Sequence, residues 1–447
     1  MGRSRGRLPG FVIAGVLLTL TLTIGVSTAQ TLSPVSDSRT AFAMVPVLDD
    51  TGEWIYLVSA GDLSGANPEH RRQIFRIRVA DGFAEQLTFF REGVEWPETS
   101  GRPDGPLRPE AIGPSVSDDG HRLAFVSRAD PLGTNPDHAR QLFVMERDGT
   151  GVVQLTSAPR SSEWRIDSVR IAGNGSRVVF ASRHDLDGSN PGHVAQVWIV
   201  NADGSGLLRL SGVSTDSGMP SISDDGERVV FTTVQIWGVL ADGSDLRMLF
   251  DDFGLYDWPV ISGDGGAVYF RSQLSVLPGP ACSSGQDLGV VDWDGSNART
   301  LTHTELGATG CGTTGFPSPL DDGSSVVYSD LTSGEILTVD QATATQVRLI
   351  PAPGDYDVCS GSSVSGDGSV IAFQCLASVS FGDSNPDGGR ETYVMDGDGA
   401  NPRAMTDGIV GGSYAPDLTS DGTVAAFVSR ADPGAEGGLP GARVYHA

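Results

Sequence analysis

Hydrophobic and polar positions alternate along the chain in short runs, and the clearest copy of the pattern spans residues 114–157. Its four runs are Pro114 to Ser117, Arg122 to Ser127, Gln141 to Met145 and Val153 to Thr156. Turn sequences separate them, such as Asp118-Asp119-Gly120, because glycine accepts positive φ and aspartate caps its own backbone. The pattern predicts four short antiparallel strands joined by hairpins.

This four-strand unit recurs eight times between residue 48 and the end of the chain. One such sheet cannot bury both of its faces alone, so the copies must pack against one another. We therefore expect an all-β fold: a single closed β-propeller of eight four-stranded blades, with seven blades as the alternative. The last copy has only three strands, and residues 30–40 are expected to supply the fourth. Strands from both termini would then close the ring.

The first 29 residues have the pattern of a signal peptide. Arginines precede an apolar run of about sixteen residues, and small residues at 27–29 offer a cleavage site. The predicted domains are therefore a signal peptide at 1–29 and a propeller at 30–447, with an insertion loop at about 91–112. We expect an exported protein, periplasmic or extracellular, with no membrane span after cleavage; an uncleaved anchor is the alternative.

The chain is acidic, with a formal net charge of −26, and every basic residue other than histidine is arginine. Such a surface argues against nucleic acid and anionic lipid as partners. It suits cationic ligands, cations or neutral sugars.

Four cysteines fit an oxidising compartment. Of the three possible pairings we favour Cys282–Cys311 and Cys359–Cys375, because each would staple one blade region. No Cys-x-x-Cys spacing occurs, so a thiolate zinc site is not expected.

The repeating unit combines Pro-x-x-Ser-x-Asp-Gly, a strand ending in Phe/Tyr-x-Ser, a second Asp-Gly turn and Leu-Thr. It resembles the TolB-type repeat of the WD-like propellers, over nearly all of the chain after the leader. That family includes stand-alone partner-binding propellers and propellers that precede a hydrolase domain, for which this chain leaves no room. The resemblance implies a stand-alone secreted binding or scaffold module, a monomer whose ligand is a protein or cell-envelope polymer. It carries over no catalytic residue.

Aromatic residues stand beside acidic residues in the connections that lead into the first strand of several blades. These connections surround the mouth of the central channel on the loop-rich face, where rings and carboxylates suit sugars or cations. Phe316 has a similar place but no adjacent acid. The alternative is that each ring packs over the next blade and seals the ring of blades. The candidate ligand-binding residues are Glu95, Trp96, Glu163, Trp164, Asp257, Trp258, Asp355, Tyr356, Asp357 and Tyr414.

The loops between the second and third strands of several blades share an Asp-x-x-Gly-x-Asn-Pro pattern. Their alternating oxygen ligands suit calcium as a cofactor. The alternative is a hairpin whose side chains form hydrogen bonds with their own backbone. The histidines His70, His138 and His193 recur in these loops, and we expect them to be structural. The candidate metal ligands are Asp185, Asp187, Asn190, Asp383, Asn385 and Asp387.

Catalytic motifs are absent from the sequence: there is no Gly-x-Ser-x-Gly, no His-Glu-x-x-His and no phosphate-binding loop. Carboxylate pairs such as Asp118-Asp119, Asp224-Asp225 and Asp321-Asp322 fall in turns, where turn chemistry explains them. We therefore expect a binding protein more than an enzyme. The alternative is a carbohydrate-processing hydrolase or lyase with acidic channel residues.

Overall fold

The computed structural model describes twelve segments of the chain: residues 46–90, 114–161, 165–212, 214–250, 255–273, 286–302, 315–331, 333–350, 359–376, 389–405, 413–429 and 443–446. Within these segments every regular element is a β-strand, and the strands form eight sheets. No helix in the segments has the length and apolar character needed to span a bilayer. The predicted leader, the strand expected from residues 30–40 and the insertion at 91–112 lie outside them.

Strands β1–β16 build the first four sheets. They are β1 Val47–Leu48, β2 Trp54–Ser59, β3 Gln73–Arg78, β4 Ala84–Gln86; β5 Ser115–Val116, β6 Arg122–Ser127, β7 Gln141–Glu146, β8 Val153–Gln154; β9 Ile166–Ile171, β10 Arg177–Ser182, β11 Gln196–Asn201, β12 Leu208–Arg209; β13 Gly218–Ile222, β14 Arg228–Thr232, β15 Ile236–Leu240 and β16 Arg247–Met248.

Strands β17–β31 build the other four. They are β17 Leu255–Ile261, β18 Ala267–Gln273, β19 Gln286–Asp292, β20 Arg299–Thr300; β21 Ser318–Pro319, β22 Ser325–Asp330, β23 Glu335–Asp340, β24 Gln346–Ile350; β25 Cys359–Val364, β26 Val370–Cys375, β27 Glu391–Asp396, β28 Arg403–Ala404; β29 Ser413–Leu418, β30 Ala425–Ser429 and β31 Arg443–His446.

Each sheet is an antiparallel meander of strands consecutive in sequence. Seven sheets are four-stranded, and the last, β29 to β31, has three strands in the described part of the chain. The hairpin registers follow the predicted turns; Arg122 to Ser127, for example, pairs in full with Gln141 to Glu146. The all-β prediction is therefore confirmed.

The first strands of successive sheets form a closed ring. Each contacts the first strand of the next sheet, in the order β1, β5, β9, β13, β17, β21, β25, β29 and back to β1. The sheets are thus blades of a propeller, and their first strands are innermost. Antiparallel topology places the turns between first and second strands at one face, which we name the turn face. The loops between second and third strands and the connections between blades lie at the opposite, loop-rich face.

The hydrophobic core lies between neighbouring blades. Phe180, Phe231, Phe270 and Phe373, at equivalent places in the second strands, are fully buried. The clusters around them combine residues of two successive blades, and Ala426 of the last blade packs with the core residues of the first blade. Since a blade buries its faces only against its neighbours, all eight are required for a complete core.

A disulfide reinforces the seventh blade. Cys359 in β25 bonds to Cys375 in β26, its partner in the strand register, and both residues are buried. This confirms one of the two predicted pairs. The other pair, Cys282 and Cys311, lies outside the described segments.

Main-chain hydrogen bonds join neighbouring blades at their inner turns, with N···O distances from 2.9 to 3.2 Å. They run from Asp50 N to Asp118 O, Asp118 N to Gly173 O, Asn174 N to Asp224 O, Asp224 N to Gly263 O, Asp264 N to Asp321 O, Asp321 N to Gly366 O and Asp367 N to Ser420 O. Between the last and first blades, Leu48 N donates to the Asp417 carboxylate at 2.9 Å. These contacts connect every blade to both of its neighbours.

In each inner turn, the position two residues before the turn glycine is in most blades an aspartate or another glycine. We name these positions the inner-turn ring: Asp50, Asp118, Gly173, Asp224, Gly263, Asp321, Gly366 and Ser420. The glycines leave room for the aspartates. A Cβ on Gly173 would come within 1.8 Å of the Asp118 carboxylate, and one on Gly263 within 2.1 Å of the Asp224 carboxylate.

The substitution Gly173→Ala is expected to lower the free energy of unfolding by about 1–3 kcal/mol, because the added methyl group overlaps Asp118 and also lies 2.8 Å from Asp224 Cβ. Urea denaturation measures the change. The matched control is Gly218→Ala, in a first strand with nothing within 4 Å of the added Cβ, and it should change stability much less. Equal losses in both variants would contradict the packing described for the ring.

Candidate functional site

The loops between second and third strands have the same internal structure in the first three blades. In each, an asparagine N–H donates to an aspartate Oδ1 five residues earlier at 2.7–2.8 Å: Asn67 to Asp62, Asn135 to Asp130 and Asn190 to Asp185. The asparagine side chains are buried and donate to carbonyl groups across the loop. The repeated pattern therefore shapes three identical loops on the loop-rich face.

The predicted metal ligands of the third blade take part in this hydrogen bonding. Asp185 accepts from Asn190 N, and Asp187 accepts from the backbone N–H and hydroxyl of Ser189. No group of three histidine, cysteine or acidic side chains in the described part of the chain could hold a metal ion. The other predicted set, Asp383, Asn385 and Asp387, lies outside that part, and calcium binding remains a prediction.

The repeated loop histidines share a backbone conformation and make contacts within their own loops. His70, His138 and His193 all have positive φ, at 52°, 50° and 50°. The Nδ1 atoms of His138 and His193 lie 3.2 Å from the carbonyls of Arg128 and Arg183. These two side chains therefore contact the backbone of their own loops.

Asp257 and Trp258 are the predicted ligand-binding residues whose side chains the structure describes. Both side chains make contacts with other residues of the propeller. Arg271 donates two hydrogen bonds to Asp257, at 2.9 and 2.8 Å. Trp258 is buried, its ring centroid lies 4.5 Å from that of Phe316 in the connection to the next blade, and Arg271 lies over both rings. The arrangement closes the gap between the fifth and sixth blades.

The other predicted ligand-binding residues have no described side chain, so a binding role for them remains a prediction. Tyr414 is placed only by its backbone in β29. Those outside the described segments are Glu95, Trp96, Glu163, Trp164, Asp355, Tyr356 and Asp357.

A β-bulge near the channel mouth interrupts the innermost strand of several blades. Ser168, Met219, Trp258 and Gly361 occupy equivalent bulge positions and all have φ between 52° and 62°. Positive φ is costly for residues other than glycine, and such strain is common at binding sites. The bulges were not predicted, because nothing in the residue types Ser, Met and Trp indicates them.

Arginines gather beside the bulge of the third blade. Burial raises the pKa of Asp167, against the opposite effects of the Ser168 hydroxyl and of Arg165, Arg140 and Arg183. The pKa of Arg140 is lowered by burial and by the nearby charge of Arg165. Arg183 also pairs with Asp216, so three arginines and two aspartates meet at this part of the loop-rich face.

Acidic residues gather at the opposite, turn face of the channel. In the pair Asp118-Asp119, the second residue makes the turn: Asp119 accepts hydrogen bonds from Ser117 Oγ and His121 N. Although burial opposes it, these bonds lower the pKa of Asp119. Asp118 instead belongs to the inner-turn ring. The prediction that turn chemistry explains both carboxylates is therefore wrong for the first residue of the pair.

The ring carboxylates meet across the channel. Burial, and after it the charges of Asp224, Asp50 and Asp321, together raise the pKa of Asp118 to about 7. Burial and the charge of Asp321 likewise raise the pKa values of Asp50 and Asp224 to about 6. These four residues come from the first, second, fourth and sixth blades. Carboxylates of non-adjacent blades affect one another only because all of them face the axis.

Exposed apolar side chains concentrate on the loop-rich face. Four of the six large exposed hydrophobic residues in the described segments lie there: Phe89, Leu132, Val234 and Leu255. Val234 and Leu255 are neighbours, since Tyr256 N donates to Val234 O at 3.1 Å. The other two are Phe83, in a turn at the opposite face, and Val347, on an outer strand.

The chain matches no protein-family profile and no curated protein. Its fold does resemble solved structures. An oligogalacturonate lyase from Vibrio parahaemolyticus matches with 12% identity over 93% of this chain and 92% of that one, at a TM-score of 0.51. A prolyl endopeptidase matches with 12% identity over 88% of this chain but 55% of its own length, at 0.52.

A putative TolB from Agrobacterium tumefaciens is also among the matches, with 18% identity over 58% of this chain and 80% of that one, at a TM-score of 0.35. At 12% identity, the likeness to the lyase and the prolyl endopeptidase shows the fold alone. Binding proteins and enzymes share that fold, so function has to be argued from the site.

The substitution Arg271→Lys is expected to destabilise the protein by about 1 kcal/mol, because lysine cannot make the paired bonds to Asp257 or place a guanidinium over the two rings. Tryptophan fluorescence during urea denaturation measures the loss. The control is Arg78→Lys: Arg78 makes the same paired bonds to Asp81 and lies over the rings of Trp54 and Phe83, but its ion pair is exposed and should contribute almost nothing. If the control is as damaging as Arg271→Lys, the burial of Arg271 between the blades has no special role.

Proposed function

We propose that this protein is an exported β-propeller that binds a protein or cell-envelope polymer at its loop-rich face. The observation that carries the proposal is the concentration of exposed apolar side chains there. Single exposed hydrophobic residues are normal, whereas adjacent ones on a loop face are typical of an interaction surface.

Export is part of the same proposal. The leader pattern at 1–29 predicts it, and the buried Cys359–Cys375 disulfide suits an oxidising compartment. The resemblance to TolB-type repeats supports a binding role in the envelope. A cation such as calcium remains a candidate for the loops of the same face.

An enzyme is the second candidate, and the inner-turn ring is the observation that favours it. Carboxyl groups with pKa values near neutrality suit general acid or base catalysis. The ring aspartates, however, pack against glycines of the neighbouring blades. Assays on acidic and neutral polysaccharides separate the candidates, since the binding proposal expects retention of ligand without turnover.

The double variant Val234→Asp/Leu255→Asp is expected to bind the envelope fraction of the source cells at least about tenfold more weakly, because each side chain loses an apolar contact and gains a charge. Sedimentation of purified protein with that fraction measures the binding.

The matched control is Phe83→Asp/Val347→Asp. Phe83 is as exposed as Val234, at 51%, and Val347 as exposed as Leu255, at 48%, but neither lies on the loop-rich face. The control should bind like the unmodified protein. Equal weakening in both double variants, or no binding by the unmodified protein, would refute the proposal.

A further inference from the structure

We propose that Asp50, Asp118 and Asp224, which lie in one ring with Asp321, form a proton-dependent closure of the propeller: their turns pack tightly while these three carboxyl groups carry protons, and loosen when the three are ionised. The proposal concerns the turn face of the channel and is independent of ligand binding at the loop-rich face.

The geometry forces the carboxylates together. Main-chain hydrogen bonds fix each turn to its neighbour, so the turns cannot separate without breaking these bonds. Glycines at the intervening positions allow the carboxylates to fold against the next blade; a Cβ on Gly366, for example, would lie 1.9 Å from Asp321 Oδ2. Asp118 and Asp224 are half-buried in this arrangement, whereas Asp50 and Asp321 are exposed.

Few groups nearby compensate this charge. Ser420 Oγ donates to Asp321 at 2.7 Å. A backbone hydrogen bond from Ser420 lowers the pKa of Asp50, but burial and the charge of Asp321 outweigh it. The charged residues with the largest effects on Asp50, Asp118 and Asp224, besides one another and Asp321, are also aspartates: Asp49, Asp119, Asp225, Asp264 and Asp421. Asp417, at the junction of the last and first blades, is a further carboxyl group whose pKa burial raises to about 6.

The sign of the pH dependence follows from these shifts. In the unfolded chain an aspartate has a pKa of about 3.9, whereas Asp50 and Asp224 have folded values of about 6 and Asp118 of about 7. Between about pH 4 and about pH 7 the folded state therefore holds more protons than the unfolded state. Stability from these groups is complete below about pH 4 and is lost as the pH rises through this interval.

The test is thermal unfolding of the full chain from pH 4.5 to pH 8.5. Asp118→Asn removes one ionisable group while keeping its size, and should raise Tm at pH 8 by about 3 °C, with little change at pH 4.5. Because histidines also titrate in this range, the difference between variant and unmodified protein is the readout. Asp224→Asn should act in the same direction and serves if the first variant does not fold.

The matched control is Asp119→Asn, the same change one residue further along the turn. Asp119 is stabilised by two hydrogen bonds as a carboxylate, so its substitution should lower Tm at pH 8. Equal effects of Asp118→Asn and Asp119→Asn would overturn the proposal.

A bound cation is the competing explanation for such a ring. At pH 8 and constant ionic strength, any extra stabilisation by calcium chloride over sodium chloride should be the same in Asp118→Asn as in the unmodified protein. Stabilisation specific to calcium that Asp118→Asn abolishes would overturn the assignment to protons and identify a metal site.

Discussion

Hydrogen bonds between the inner turns of neighbouring blades are the contacts on which the rest of this structure depends. Each blade is a small sheet that cannot bury its faces alone, and its core is completed only by its neighbours. The inner turns set how closely the blades approach, because main-chain bonds of 2.9–3.2 Å connect one turn to the next. At the junction of the last and first blades, Asp417 takes this role with its side chain.

The same closeness has an electrostatic cost. The inner turns bring the side chains of the inner-turn ring close to one another. In four of the eight blades that side chain is an aspartate. Glycine at Gly173, Gly263 and Gly366 leaves space for the neighbouring aspartate side chains. It does not reduce the repulsion between their charges. Close packing and charge repulsion are thus consequences of one arrangement. The proposed binding contacts lie at the opposite face, where longer loops, bulged strands and exposed apolar residues occur.

The repeat could be predicted from sequence because each strand and turn has a local signature: Arg122 to Ser127 alternates, and Asp-Gly closes its hairpin. The distinction between Asp118 and Asp119 could not be predicted, since it depends on which of two adjacent carboxylates faces the axis once the blades are assembled. The sequence marks Asp257 and Trp258 as candidate ligand-binding residues. Their contacts with Arg271 and Phe316 could not be predicted, because they depend on the next strand and the next blade. The bulge at Trp258 has no local signature.

Native-state hydrogen exchange at the inner turns tests the central claim most directly. The account predicts that the amides of Asp50, Asp118, Asp224 and Asp321 are protected as strongly as amides of the buried second strands, because they open only when the ring opens. Exchange of these amides at the rate of exposed hairpin turns, while the strands stay protected, would contradict it.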